Sequence, residues 1–171
     1  MELSLVLGTW ALVLVTFWMA RRQVSLLRQQ TDDAHANICL QNHLEFTRRF
    51  DDSEMLRNRR ELAERFLSGR PPLDLQERVL DFFEDLGMFL RRGYLDEELA
   101  WSTFGFYSVR WWAICRGYIL EERKRQSDPT LFTDFEGLAK RFLIRDSRAG
   151  LAEATPSDIE NFLKDERDLG Q

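Results

Sequence analysis

From Leu3 to Ala20 the chain reads LSLVLGTWALVLVTFWMA, eighteen residues without a charge, and the pair Arg21-Arg22 closes the run. At 1.5 Å per residue such a stretch makes a helix of roughly 27 Å, close to the thickness of a bilayer's hydrocarbon core. The pattern therefore predicts one transmembrane anchor over residues 1–21, with Leu3, Trp10, Phe17, Trp18, Arg21 and Arg22 as its marker residues. Beyond it the apolar positions thin to a 3-4 spacing at Val24, Leu27, Thr31, Ala34 and Ile38. No Pro or Gly interrupts residues 21–50. The same helix is expected to continue through this juxtamembrane segment, 22–50. Its apolar seam suits either a second copy or the protein's own domain, and packing on its own domain is the expectation. The seam is too short and too polar to establish a coiled coil by itself, which needs three or four sustained heptads.

Residues 51–171 carry the marks of separate amphipathic helices. Asp51 with Glu54 forms a capping-box pattern ahead of a helix that Ser68-Gly69 ends. Asp74 with Glu77 opens the next in the same way, and Gly93 closes it. Within it Leu75, Val79, Phe82, Phe83, Leu86 and Leu90 form one stripe, on which Gly87 marks a close approach of another helix. Asp96 starts a densely apolar segment, Leu99–Leu120, read as the buried central helix. Arg110 and Arg116 exclude it from the membrane, each costing about 2.5–3.5 kcal/mol there. One of its faces carries Trp101, Phe104, Gly105, Ser108, Trp112, Cys115 and Ile119; another carries Phe106, Val109 and Ala113. Ser127-Asp128-Pro129 breaks it. A further helix ends near Arg145, and Thr155-Pro156-Ser157-Asp158 begins the last. No stretch alternates with period two. The fold class is all-α: a transmembrane helix continuing into a cytoplasmic bundle of about five to six helices, with Phe83, Gly87, Phe104 and Trp112 as core markers.

Charge sets the topology. All 24 basic residues follow the apolar run, so the positive-inside bias keeps the body in the cytoplasm and sends the N-terminus out. A cleaved signal is disfavoured, because only Met1 and Glu2 precede the run and Trp18-Met19-Ala20 lacks a small-x-small site. The expected location is the inner (plasma) membrane, single-pass. The formal net charge of −5 is a poor footprint for nucleic acid. Clusters at Arg57–Arg60 and Arg123–Arg125 are flanked by acids and read as solvated faces. Two cysteines, Cys39 and Cys115, make no disulfide framework and suit a reducing compartment.

Candidate chemistry is sparse. His35, Cys39 and His43 recur every fourth residue along one side of a helix, and imidazole with thiolate suits zinc, with Asp32 one turn earlier. Three such residues span about 12 Å, too far for one ion, so only a neighbouring pair would bind and another helix would complete the set. Glu84-Asp85 lies beside aromatic residues, where burial raises a carboxyl pKa and suits acid–base work. A buried Glu84 paired with Arg110 or Arg116 is the preferred structural reading. Cys115 reads as a small buried hydrophobe and Trp111-Trp112 as core. No phosphate-cradling loop, nucleophile elbow, His-Glu-x-x-His or calcium loop occurs, and no cofactor is called for.

The segment VLDFFEDLGMFLRRGYLDEELAWSTFGFYSVRWW (Val79–Trp112) resembles the family known as domain of unknown function 4760. The elements that carry the likeness are Glu84-Asp85-Leu86-Gly87, Gly93-Tyr94-Leu95-Asp96, and the aromatic helix from Phe104 to Trp112. FTRRFDDSEMLRNRRELA (Phe46–Ala63) and the membrane-helix-then-α-domain layout add to it, over about Leu44 to Phe142. The resemblance implies a bacterial membrane protein and supplies no activity and no site residues. The expected function is a non-enzymatic interaction or scaffolding module at the cytoplasmic face, with the bilayer and a protein partner or a second copy as its contacts. The alternatives are a metal- or redox-responsive regulator using His35, Cys39 and His43, and a membrane-face enzyme with a Glu84 pocket behind Trp111-Trp112.

Overall fold

The computed structural model describes the backbone of residues 2–70 and 77–169, and the side chains of 16–70 and 78–169. Among these residues there are six α-helices and no strand. They are α1 (Glu2–Phe50), α2 (Ser53–Leu67), α3 (Glu77–Arg91), α4 (Glu97–Gln126), α5 (Thr133–Arg148) and α6 (Pro156–Arg167). The chain divides into two compact units, Met1–Ile38 and Cys39–Gln171.

The first unit is helix alone. Every side chain from residue 16 to residue 38 is exposed. Val24, Leu27 and Ile38 of the sequence seam are about half exposed. Among the described residues no helix is long and apolar enough to cross a membrane. Most of the expected anchor, Leu3 and Trp10 included, falls on side chains outside the described ones.

The second unit owes its helix ends to local chemistry. Asp52 caps α2, its carboxylate accepting from the Glu54 N–H at 2.9 Å. The cap expected at Asp51 is thus one residue later, because adjacent acids offer the same pattern. The Asp74–Glu77 box lies outside the described residues. Gly93, at φ +74°, ends α3 in a Schellman arrangement: Tyr94 N–H reaches Phe89 O and Gly93 N–H reaches Leu90 O. The accompanying apolar contact is the Phe89–Tyr94 ring pair. Leu95 is then buried, and Asp96 caps α4 through the Leu99 N–H at 2.8 Å. At α6, Thr155 and Asp158 complete a reciprocal capping box with Pro156 at the first turn.

Around α4 the core is largely aromatic. Phe82, Phe83, Phe104, Trp111, Phe135 and Phe142 are fully buried. Phe50 from the end of α1 meets Phe82, Phe104 and Tyr107, while Phe83 stacks on Phe135 at 5.0 Å and Trp112 meets the same ring edge-on. Each such pair is worth about 0.5–1.5 kcal/mol beyond its buried area. Of the second apolar face expected on α4, Val109 is buried but Phe106 and Ala113 are exposed.

Candidate functional site

The carboxylate singled out in the sequence has a partner that sequence spacing does not reveal. Residue Phe132, just before α5, takes a left-handed conformation (φ 54°) and offers no side-chain cap. The first N–H groups of a helix lack intrahelical acceptors. Glu84 of α3 supplies one from across the interface, its Oε2 accepting from the Phe135 N–H at 2.6 Å. Burial holds the Glu84 carboxyl above its ordinary range, against the opposing pull of the Phe135 and Asp134 N–H groups. The preferred pairing with Arg110 or Arg116 is therefore corrected. Arg116 is exposed, and the Arg110 guanidinium lies 3.6 Å over the Phe106 ring. Asp85 turns away from Glu84 and meets Arg49 of α1 at 3.1 Å.

Gly87, one turn beyond Glu84, makes this approach possible. A Cβ added there would lie 2.2 Å from the Asp134 carbonyl oxygen, so the α5 backbone occupies the space a side chain would need. Asp134 is held in turn by Arg91, whose Nε and Nη2 donate at 2.6 and 2.8 Å. Glu84, Gly87 and Arg91 thus dock one face of α3 onto the N-terminus of α5. As a carboxylate aimed at backbone N–H groups, Glu84 has its acceptor capacity engaged in holding the fold.

A second buried polar element was absent from the sequence reading. Arg59 of α2 and Glu166 of α6 form a bidentate pair at 2.5 and 2.7 Å, with side chains only 3% and 4% exposed. The guanidinium lies 4.0 Å over the Phe50 ring and 5.1 Å over Tyr107. Arg57–Arg60 is accordingly not a uniformly solvated face. Arg59 falls on the α2 stripe four residues after Met55 and three before Leu62, and Glu166 follows Leu163 by three. Charges in register with an apolar stripe were the available signal. Arg123 departs from the solvated reading as well. It donates to Leu131 O at 2.7 Å and to Glu136 at 2.8 Å, fastening the segment that enters α5.

His35, Cys39 and His43 separate. His35 is exposed in the first unit, while Cys39 and His43 are buried in the second. The Cys39 thiol points to Gly93 O at 3.7 Å, and His43 Nε2 lies 3.2 Å from the Thr103 hydroxyl. Neighbouring Asn42 donates to Tyr94 O at 2.9 Å. Together these contacts dock the end of α1 on the Gly93–Asp96 turn and on α4. His43 Nδ1 is buried without a hydrogen-bond partner among the described residues, and burial holds its pKa below the ordinary value, with Asp96 opposing. No group of three or more His, Cys, Asp or Glu able to hold a metal ion occurs among the described residues. Cys115 is fully buried, and desolvation pushes its thiol pKa far up, the opposite of an activated nucleophile.

Exposed large apolar side chains occur on the body at Phe106, Ile144 and Leu151, and in greater number on α1. Phe17, Trp18, Met19, Leu26 and Leu27 are all more than half exposed. Arg21 and Arg22 lie 5.5 Å over Phe17 and Trp18 respectively, each cation one turn beyond its ring. Val24, Leu27, Arg28, Thr31 and Asp32 border a shallow groove of about 340 Å³.

A family model described as Domain of unknown function (DUF4760) matches residues 3–142. No curated protein and no solved structure matches the chain.

Proposed function

The chain belongs to the family described as Domain of unknown function (DUF4760), and we propose that it is a non-enzymatic, membrane-tethered helical module that presents α1 to a protein partner at the cytoplasmic face. The observation that carries the reading is the run of residues 16–38. It is helical throughout and exposed at every position, and it includes large apolar side chains. Isolated helices are marginal in water, and amphipathic ones gain their stability by burying the apolar face against something. The tether is the run Leu3–Ala20. Phe17 and Trp18 with the cations over them form an arrangement suited to a membrane interface, where amphipathic rings are favoured. Tethering raises the effective concentration of any partner on the same membrane, so a narrow apolar face suffices. The polar groups of the body support the same reading, since Glu84, Arg59, Glu166 and Arg123 all hold helices together.

The test is fractionation of cells expressing the full chain, followed by affinity isolation in mild detergent. The chain is expected to stay with membranes through an alkaline carbonate wash. A Leu26→Asp/Leu27→Asp variant is expected to remain membrane-bound and helical while losing its co-isolated partner. Release by carbonate would remove the tether from the account. A partner retained by the double variant would remove α1 as the surface.

A further inference from the structure

We infer that the partner of the 17–38 face is a second copy of this chain, paired as a parallel two-stranded coiled coil; this rests on the reading of α1 as a presenting helix. Phe17, Ala20, Val24, Leu27, Thr31 and Ala34 are spaced alternately by three and four residues, and Ile38 extends the series. That is the 3.5-residue period of a supercoiling seam. In heptad terms Val24, Thr31 and Ile38 occupy successive a positions and Leu27 the d position between the first two. β-branched residues at a with Leu at d favour two parallel strands over three or four. Ala34 at d lets the helices approach closely.

Thr31 is the polar residue at the centre of this seam, and its own helix satisfies it. The Thr31 hydroxyl donates to the Leu27 carbonyl at 2.9 Å, which leaves no lone donor to bury in the interface. The flanking positions select the orientation. Arg21, Arg28 and His35 follow the d positions, and Gln23, Gln30 and Asn37 precede the a positions. In a parallel pair the two sets face each other across the seam, with Gln23 opposite Arg28 of the other copy, so that the amide oxygen meets a donor. In an antiparallel pair Arg21 and Arg28 would face the arginines of the other copy. A shared membrane tether would enforce the same parallel orientation.

The experiment is cysteine pairing in membranes carrying the full chain. Val24→Cys, Leu27→Cys, Ser25→Cys and Gln29→Cys are compared under mild oxidation. The native cysteines stay in place as buried background. Val24→Cys and Leu27→Cys are expected to give disulfide-linked dimers, with Ser25→Cys and Gln29→Cys at the unsubstituted chain's background. Equal yields at all four positions, or none above background, would overturn the pairing. If dimers fail to form while Leu26→Asp/Leu27→Asp still strips a different co-isolated protein, the self-pairing falls and the interaction-module reading stands. If dimers form and carbonate releases the chain, the pairing stands and the tether falls.

Discussion

Replacing Gly87 by alanine tests how α3 and α5 are held. An ordinary carbon–oxygen contact needs about 3.2 Å, and the new Cβ would begin 2.2 Å from the Asp134 carbonyl oxygen and 2.6 Å from its carbon. The obstacle is backbone at a helix start, so it cannot rotate away. The helices must separate by about 1 Å. That movement loosens the Glu84 cap, the Arg91–Asp134 pair and the Phe83–Phe135 stack together. Overpacking of this kind costs about 1–3 kcal/mol, against which alanine's helix propensity returns up to about 1 kcal/mol. The expected net is a loss of about 1–2 kcal/mol, a fall in Tm of about 4–8 °C for a body of this size. Gly137 on α5 is the control, because a Cβ there meets nothing within 4 Å. Gly137→Ala is expected to raise stability by up to about 1 kcal/mol. Thermal and urea unfolding of the full chain in detergent, followed by circular dichroism, compares the two variants. A Gly87→Ala chain as stable as the parent would refute the close-approach argument.

Three further outcomes follow from the buried polar groups. Arg59→Met leaves Glu166 buried without its cation and is expected to cost about 3–5 kcal/mol, most of it recovered in the Arg59→Met/Glu166→Leu double variant, as equilibrium unfolding would show. For Glu84 the folded pKa is raised, so the parent should lose stability relative to Glu84→Gln as pH rises from about 4.5 through the raised value; parallel stability–pH curves would contradict this. For His43 the folded pKa is lowered by burial, so stability should decline as pH falls through its ordinary value of 6.5, and His43→Leu should flatten that part of the curve.

Features set by neighbouring residues were legible in the sequence. The Thr155–Asp158 capping box, the Gly93 turn and the burial of Phe83 and Phe104 on α3 and α4 stripes all depend on short-range pattern. Gly87 was legible as a close approach, because a glycine on an apolar stripe has few other uses, but not what approaches it. Glu84 escaped because the N–H groups it caps lie about fifty positions away on a helix whose own preceding residue, Phe132, cannot cap. Arg59 escaped because a run of arginines between acids reads as surface, although its phase on the α2 stripe pointed inward. The seam of α1 was visible, and its exposure was not, since a 3-4 pattern does not say which surface it meets. The same holds for His35, Cys39 and His43, whose spacing suggests a shared site while the fold puts one outside and two in separate contacts.

The central claim is that α1 is the surface presented to a partner while the polar groups of the body hold it together. Its most direct measurement is photo-crosslinking of the full chain in living cells, with the crosslinker placed in turn at Val24, Leu27 and Ile38, and at the exposed body positions Arg116 and Gly117. Adducts are expected at the α1 positions, and none at Arg116 or Gly117. Adducts at the body positions with none on α1 would contradict it.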